Sequence, residues 1–419
     1  MKKLAEVFSI RSNSTSYFVF SFSLFIQFLL IGKHMDNSIL SAYVVGAVDA
    51  SDYASRALIW QAEGFSQAFK DAYRMPGYPA IILLFTYLFP GAPFLGVRLL
   101  QMFCLAFSVV MVKKVVEKYV SLNAAVFASL IYSLIPVWHF TPILLAESLN
   151  SFIVVSLIFI LSSIDSSKLS RKKTVSLSLL IASAIYLKPN NLMLLIIVAA
   201  FLFFMFKTNR LANLRNISVL VFLLICPWLY FVQNSQPGFV GLTTNSGINL
   251  YIGTGMATSY DESFLSNSAI KWQVDSRNNP KDVLDIAMDG TPLYKNRVFT
   301  NRSMDIWKSR PLRELGYGFD KSLFAFGLKS QSLMDKTFGI FTFVSIFSAF
   351  MTIWRPKVRA WGSTLLLVTM ILTLQATFFQ ADRRFVIPIF FPFAVICLGI
   401  LIGNIKSVQI TVKRMLRRH

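Results

Sequence analysis

The sequence predicts an all-α polytopic membrane protein, a bundle of about ten transmembrane helices with amphipathic helices on the outer face in its first loop. Three observations carry that expectation. Hydrophobic residues make up 55% of the 419 and charged residues only 15%, against about 25% charged in soluble domains. Apolar runs of roughly 17–25 residues, the length that crosses a bilayer as a helix, recur along the chain. The charge is also sorted. About half of the 41 Lys and Arg fall in short loops between alternate runs, beside only Glu6, Glu117 and Asp165 as acids, which is the pattern of cytoplasmic loops. The net charge of +21 therefore reads as topology and not as nucleic-acid binding. A β-barrel would need short alternating strands, and none are evident.

Taken in order, the expected spans are 15–32, 95–112, 121–138, 146–164, 174–190, 191–206, 216–232, 337–354, 361–379 and 385–404. The first is followed by no small-x-small cleavage pattern, so it reads as a retained anchor. The run 76–90, PGYPAIILLFTYLFP, is short for a span. If 15–32 runs from inside to outside, Lys113, Lys114 and Lys118 belong inside. The stretch 76–112 then crosses an odd number of times, which makes 95–112 the crossing helix and leaves 76–90 re-entrant or on the outer face. Every later basic loop then alternates correctly, and both termini are cytoplasmic. The chain carries no eukaryotic retention signal, so the expected setting is a bacterial or archaeal envelope, with the bacterial inner (cell) membrane as the first expectation.

Two outer segments are long. The first, 33–94, holds an acid cluster in VVGAVDASDYASRA, an Ala-rich helical stretch around 54–69, and the phrase RMPGYP. The second, 233–336, is polar around Trp272 and Trp307 and can form a few amphipathic helices. Its opening phrase TTNSGINLYIGTGMATSY, residues 243–260, reads as an ordered loop over the outer face or as a plain turn.

Polar residues collect at the outer ends of the spans. Asp49 and Asp52 follow the first, Arg74 opens RMPGYP, Glu147 starts the fourth, Lys188 ends the fifth, and Asp382, Arg383 and Arg384 fill a short loop before the last. Ionisable groups beside lipid are costly, and each is a functional candidate. A carboxylate within reach of a hydroxyl can act as general base. Paired carboxylates can instead hold a divalent cation, so the cofactor stays open, with a divalent cation one candidate. Arg offers phosphate a planar fork and Lys a point charge. Plainer readings stand beside these: Asp49 and Asp52 as N-caps of a helix starting near Tyr53, Arg74 and Lys188 as interfacial anchors, Glu147 as a carboxylate favoured by the helix dipole. Arg383 and Arg384 break the positive-inside pattern. His34, His139 and His419 lack ligand spacing, and Cys104, Cys226 and Cys397 fall in apolar spans, without a disulfide framework. No Walker, dinucleotide or metalloprotease motif is present.

In this order the motifs resemble those of the membrane-embedded GT-C glycosyltransferases, among them protein O-mannosyltransferases and the lipid A aminoarabinose transferases. DASDYASRA carries an acid, Asp49, with Tyr53 four residues on. RMPGYPAIILLFTYLF places Arg74 before a Pro-rich helix start, and LLAESLNSF places Glu147 at the start of a later span. YLKPNNLMLLI, NSGINLYIGTG and RRFVIPIFFPFAV match a Lys-Pro step, a Gly-Asn phrase and an Arg-rich step into the last span. Ala50 stands where many relatives carry a second acid.

The resemblance implies a GT-C-like bundle and a glycosyltransferase that takes a sugar from a polyprenyl-phosphate-linked donor. The acceptor would be an envelope glycan, lipid or protein, with membrane lipids around and no nucleic acid. It implies Asp49, Asp52 and Glu147 as catalytic residues, and Tyr53, Arg74, Lys188, Arg383 and Arg384 as substrate-binding residues. Residues 1–232 would form the catalytic transmembrane module with its first outer loop at 33–94, 233–336 the long outer loop, and 337–419 the last spans and basic tail. The competing expectations are a flippase or transporter for lipid-linked sugars, which would show inverted repeats or midplane charges, and a polymerase of lipid-linked repeat units.

Overall fold

A computed structural model describes residues 14–38, 47–135, 140–164, 169–206, 209–236, 238, 241–254, 291–328, 333–379 and 383–404. Among them are sixteen α-helices and no strand. The first half holds α1 (Ser14–Ile31), α2 (Ala47–Glu63), α3 (Phe65–Ala68), α4 (Gly77–Leu88), α5 (Pro93–Glu117), α6 (Leu122–Leu134), α7 (Glu147–Ser162) and α8 (Arg171–Leu187). The second holds α9 (Met193–Met205), α10 (Arg210–Ser235), α11 (Ser246–Ile252), α12 (Pro292–Ser309), α13 (Pro311–Ala325), α14 (Leu333–Ile353), α15 (Arg359–Phe378) and α16 (Arg383–Gly403).

The local signals are those of ordinary helix ends. Pro opens α5, α12 and α13, where its missing N–H costs nothing. Ser121, Ser170 and Thr291 cap α6, α8 and α12, each accepting from a backbone N–H three residues on. Pro227 lies inside α10, and Pro388 and Pro392 inside α16; neighbouring helices make such prolines tolerable in a membrane bundle.

Each of the ten expected spans carries a helix. Six are long and apolar enough to cross a membrane: Ser14–Ile31, Pro93–Glu117, Arg210–Ser235, Lys336–Ile353, Arg359–Phe378 and Val386–Gly403. The last is the hub. Its apolar window is 83% buried against 22% for α1, and it packs on α5, α6, α7, α14 and α15. Small residues permit the approach: a Cβ at Gly399 would stand 2.8 Å from that of Ala128.

The two long inter-span segments meet at one end of the bundle. Thr244 donates from its N–H to the Ala72 carbonyl and from its hydroxyl to the Asp71 carbonyl, both at 3.0 Å. Trp228 Nε1 donates to the Leu242 carbonyl at 2.8 Å. At the far end, Lys118 and Lys173 donate to the Ser162 and Ser163 carbonyls, closing the C-terminus of α7 with cations.

Several sequence expectations shift. The helical stretch expected over 54–69 begins at Ala47 and breaks at Gly64, where φ is 91°, a left-handed geometry that suits glycine. Residues 76–90 form the twelve-residue helix α4. The phrase 243–260 folds into a turn and α11 as far as Thr254, beyond which it lies outside the described residues, as do Trp272, Asp382 and the tail.

Candidate active site

Asp49, Asp52, Tyr53 and Arg56 stand at i, i+3, i+4 and i+7 of α2, so they share one face. That face meets the segment 69–76. Arg74 Nη2 donates to Asp49 Oδ1, and its Nε donates to Asp52 Oδ2 at 2.7 Å. Arg56 Nε donates to Asp52 Oδ1 at 2.9 Å, while its two terminal nitrogens take both Asp71 oxygens at 2.8 Å. The result is an alternating chain, Asp49–Arg74–Asp52–Arg56–Asp71, with three acids on two guanidinium groups. Tyr53 and Tyr73 flank Arg74, their ring centres 5.2 and 5.0 Å from its guanidinium carbon.

The electrostatics follow from this packing. Burial works against the Arg74 charge, but Asp49, aided by Tyr53, Tyr73 and Asp52, outweighs it and holds the group well above the ordinary arginine range. Burial raises Asp71, and the Arg56 fork more than reverses this, so its carboxyl is held below the usual value. Burial pushes the Tyr73 hydroxyl up, against the pull of Arg74. These arginines are therefore fixed cations, and neither can act as a proton carrier.

A second pair lies nearby. Glu147, the first residue of α7, is fully buried and accepts from Lys188 Nζ at 2.6 Å. Lys188 is the residue that ends α8. Tyr78 lies between the two groups: its ring packs against Tyr53 with centres 5.0 Å apart, its hydroxyl donates to Gln101 at 2.7 Å, and burial, with the nearby Glu147 carboxylate adding, pushes that hydroxyl well above the usual tyrosine range. The second Glu147 oxygen, the Ser148 hydroxyl and the Asn150 amide oxygen are buried and have no hydrogen-bond partner among the described residues.

Beside this lies an apolar cavity of about 420 Å³. Its walls include Trp60 near the end of α2, Phe65 at the start of α3, Pro76 and Ala80 at the start of α4, Tyr186 near the end of α8 and Trp228 of α10. Arg74 is two residues before Pro76 and Lys188 two after Tyr186, so both cations stand in the chain next to its wall.

The fold thus joins Asp49, Asp52, Tyr53 and Arg74 in one cluster and Glu147 with Lys188 in an adjoining pair. Arg383 and Arg384 open α16; their side chains lie outside the described residues. The N-cap reading of Asp49 and Asp52 is corrected: α2 starts at Ala47, which puts Asp49 in its first turn and Asp52 within it. Arg74 and Lys188 point to carboxylates instead of serving as interfacial anchors. Sequence reasoning passed over Arg56, Asp71 and Tyr73. The Asp52–Arg56 spacing was a usable signal; Asp71 pairs across fifteen residues and gave none. As to a divalent cation, no group of three or more His, Cys, Asp or Glu that could hold one occurs among the described residues. Arg74 bridges Asp49 and Asp52 where such an ion would sit, so this donor set does not fit it.

No protein-family model matches the chain, and no curated protein sequence matches it. Solved structures do match in fold. The crystal structure of the Archaeoglobus fulgidus oligosaccharyltransferase in its apo form aligns over 96% of this chain and 52% of its own, with a TM-score of 0.56 and 12% identity. Archaeal oligosaccharyltransferase AglB from the same organism, in complex with an inhibitory peptide and a dolichol-phosphate, aligns over 96% and 51%, with a TM-score of 0.53 and 13% identity. A looser likeness, with a TM-score of 0.42, 15% identity and coverage of 94% and 76%, is to ArnT from Cupriavidus metallidurans in the apo state. The chain is similar in fold to the two archaeal oligosaccharyltransferase structures along nearly its whole length. It spans about half the length of the two archaeal structures.

Proposed function

We propose that this protein is an integral membrane glycosyltransferase that moves a sugar from a polyprenyl-phosphate-linked donor to an acceptor hydroxyl at the extracytoplasmic face. The observation that carries the reading is the adjacency of an acid–arginine cluster to an apolar cavity at one end of a membrane bundle. An amphiphilic donor needs that combination: cations for its phosphate, an apolar wall for its tail, and a carboxylate beside the reacting carbon. The fold likeness supports the same class. AglB binds a dolichol-phosphate and a peptide in the structure that matches, and the corresponding partners here would be a lipid-linked phosphate and an envelope glycan, lipid or protein.

In the proposed reaction Asp49 takes the proton of the acceptor hydroxyl. The acceptor oxygen forms a bond to the anomeric carbon as the bond from that carbon to the phosphate oxygen breaks. The electron pair leaves with the phosphate, and configuration at carbon inverts. Arg74 and Lys188, with Arg383 and Arg384 at the start of α16, would stabilise the charge growing on the leaving phosphate. Asp52 keeps Arg74 aimed, and Glu147 would orient the acceptor. No step runs through a metal ion.

The test is turnover by purified protein in detergent, supplied with polyprenyl-phosphate hexoses and pentoses and a solubilised envelope fraction as acceptor. Release of polyprenyl phosphate that depends on acceptor, and that is lost in Asp49→Asn, is the expected result. A flippase gives no turnover once the bilayer is dissolved. A repeat-unit polymerase consumes only lipid-linked oligosaccharides. Wild-type turnover by Asp49→Asn removes Asp49 from its role.

A further inference from the structure

Helix α13 is amphipathic in the reverse of the usual sense. The side it turns to the protein carries Glu314, Gly318, Lys321, Ser322 and Ala325, all buried. The side it turns outward carries Leu312, Leu315 and Phe319, which are 83%, 47% and 58% exposed. The spacing i, i+3, i+7 gathers Leu312, Leu315 and Phe319 into one exposed stripe, and i, i+4, i+7, i+8, i+11 gathers the buried set on the neighbouring face. A helix resting on a protein in water does the opposite, since each such apolar side chain left in water forgoes about 1.5–3 kcal/mol.

The buried face is tied to the last turns of α15, a helix long and apolar enough to span a membrane. Gly318 lies directly on Thr377. Ser322 donates to the Thr373 carbonyl at 3.1 Å. Lys321 Nζ donates to the carbonyls of Thr377 at 3.1 Å, Phe379 at 3.2 Å and Gly253. This fixes the depth of α13 at the end of a span, where acyl chains give way to head groups. On α15 itself Met370, Leu374 and Phe378 are exposed at helical spacing up to that level. Arg313, exposed on α13 next to Leu312, and the exposed Lys308 in the last turn of α12 supply cations that suit a phospholipid surface.

We infer that α13 is a membrane-surface helix, seated through Leu312, Leu315 and Phe319 in the headgroup–acyl boundary of the leaflet at the acid-cluster end and pinned to the bundle by Lys321. The inference does not depend on the proposed reaction. The occupant is lipid because the stripe is apolar, its flank is cationic, and the anchoring contacts all sit at the end of a span.

The experiment uses the full chain with Cys104, Cys226 and Cys397 replaced by Ser. Single cysteines at positions 312, 315 and 319, and at the exposed Asp305 of α12 as control, carry an environment-sensitive fluorophore. The protein is placed in nanodiscs of phosphatidylcholine and phosphatidylglycerol. The expected result is a blue shift at 312, 315 and 319, quenching there by a lipid with a nitroxide near its head group, and protection from aqueous iodide, with the reverse at 305. Iodide quenching at the three positions equal to that at 305 overturns the inference. Protection from both quenchers also overturns it, because another protein surface then covers the stripe. The unsubstituted chain gives a second reading: a photoactivatable phosphatidylcholine should form adducts within 311–325, and their absence would count against lipid contact.

Discussion

Gly77 lies against the backbone of Tyr186: a Cβ at position 77 would come within 2.5 Å of the Tyr186 carbonyl oxygen and 3.0 Å of the Leu187 nitrogen. Neither atom can swing aside as a side-chain tip could. This contact holds the segment that carries Arg74 to the helix end that carries Lys188, so one glycine sets the spacing between the two cations. Gly77→Ala should destabilise the protein by about 1–3 kcal/mol, the range typical of overpacking. A lowered midpoint of thermal unfolding in detergent checks this, and an unchanged midpoint would mean that the two segments part freely.

Arg74 reaches Asp49 and Asp52 through different nitrogens of one guanidinium group. Lysine keeps the charge but offers no planar fork, so Arg74→Lys can satisfy one acid well and not both. The expected outcome is a fall in turnover of about 10²–10³, the scale on which loss of one charge-stabilising donor acts, with the protein still expressed and folded. Wild-type turnover by this variant would show that the cluster needs only charge at that point.

The sequence made some of this legible and left the rest hidden for physical reasons. The spans were legible because lipid demands long apolar runs, and α1, α15 and α16 fall within two residues of expectation at each end. Asp49, Asp52 and Arg74 stood out as charges beside lipid. The early start of α2 did not, because Asp49 and Asp52 are themselves favoured cap residues and pointed to a start near Tyr53. The Arg56–Asp71 fork joins two stretches whose meeting depends on the break at Gly64. The reverse amphipathicity of α13 was hidden for a different reason. A moment along a sequence says that a helix has two faces, but the surrounding solvent decides which face turns inward.

Lys321 should give stability a dependence on pH. Burial lowers its pKa from 10.5 to about 7 in the fold, with Glu314 opposing. Below about pH 7 the group is protonated in folded and unfolded chains alike, and the cost of burying its charge is felt in full. Between the two values the unfolded chain binds a proton that the folded chain has shed, so stability rises with pH across that window. Melting midpoints in detergent between pH 7 and pH 9 should climb for the wild type relative to Lys321→Met, which has no proton to lose. Parallel curves for the two proteins would place the titration elsewhere.

The cavity between Trp60, Ala80, Tyr186 and Trp228 separates the reading of a lipid-linked donor from that of a soluble one. Its lining is almost wholly apolar, and each methylene that enters such a space is favoured by about 0.8 kcal/mol. Ala80→Phe adds a ring on the cavity wall and displaces whatever part of a tail lies there. A polyprenyl donor should then show a KM raised by about tenfold or more, since losing two buried methylenes already amounts to roughly that factor. A short-chain, water-soluble analogue carrying the same sugar phosphate should keep its KM, because Arg74 and Lys188 are untouched. Equal losses for both donors would mean that the ring has disturbed the acid–arginine cluster. No loss for either would mean that the tail runs along another face of the bundle.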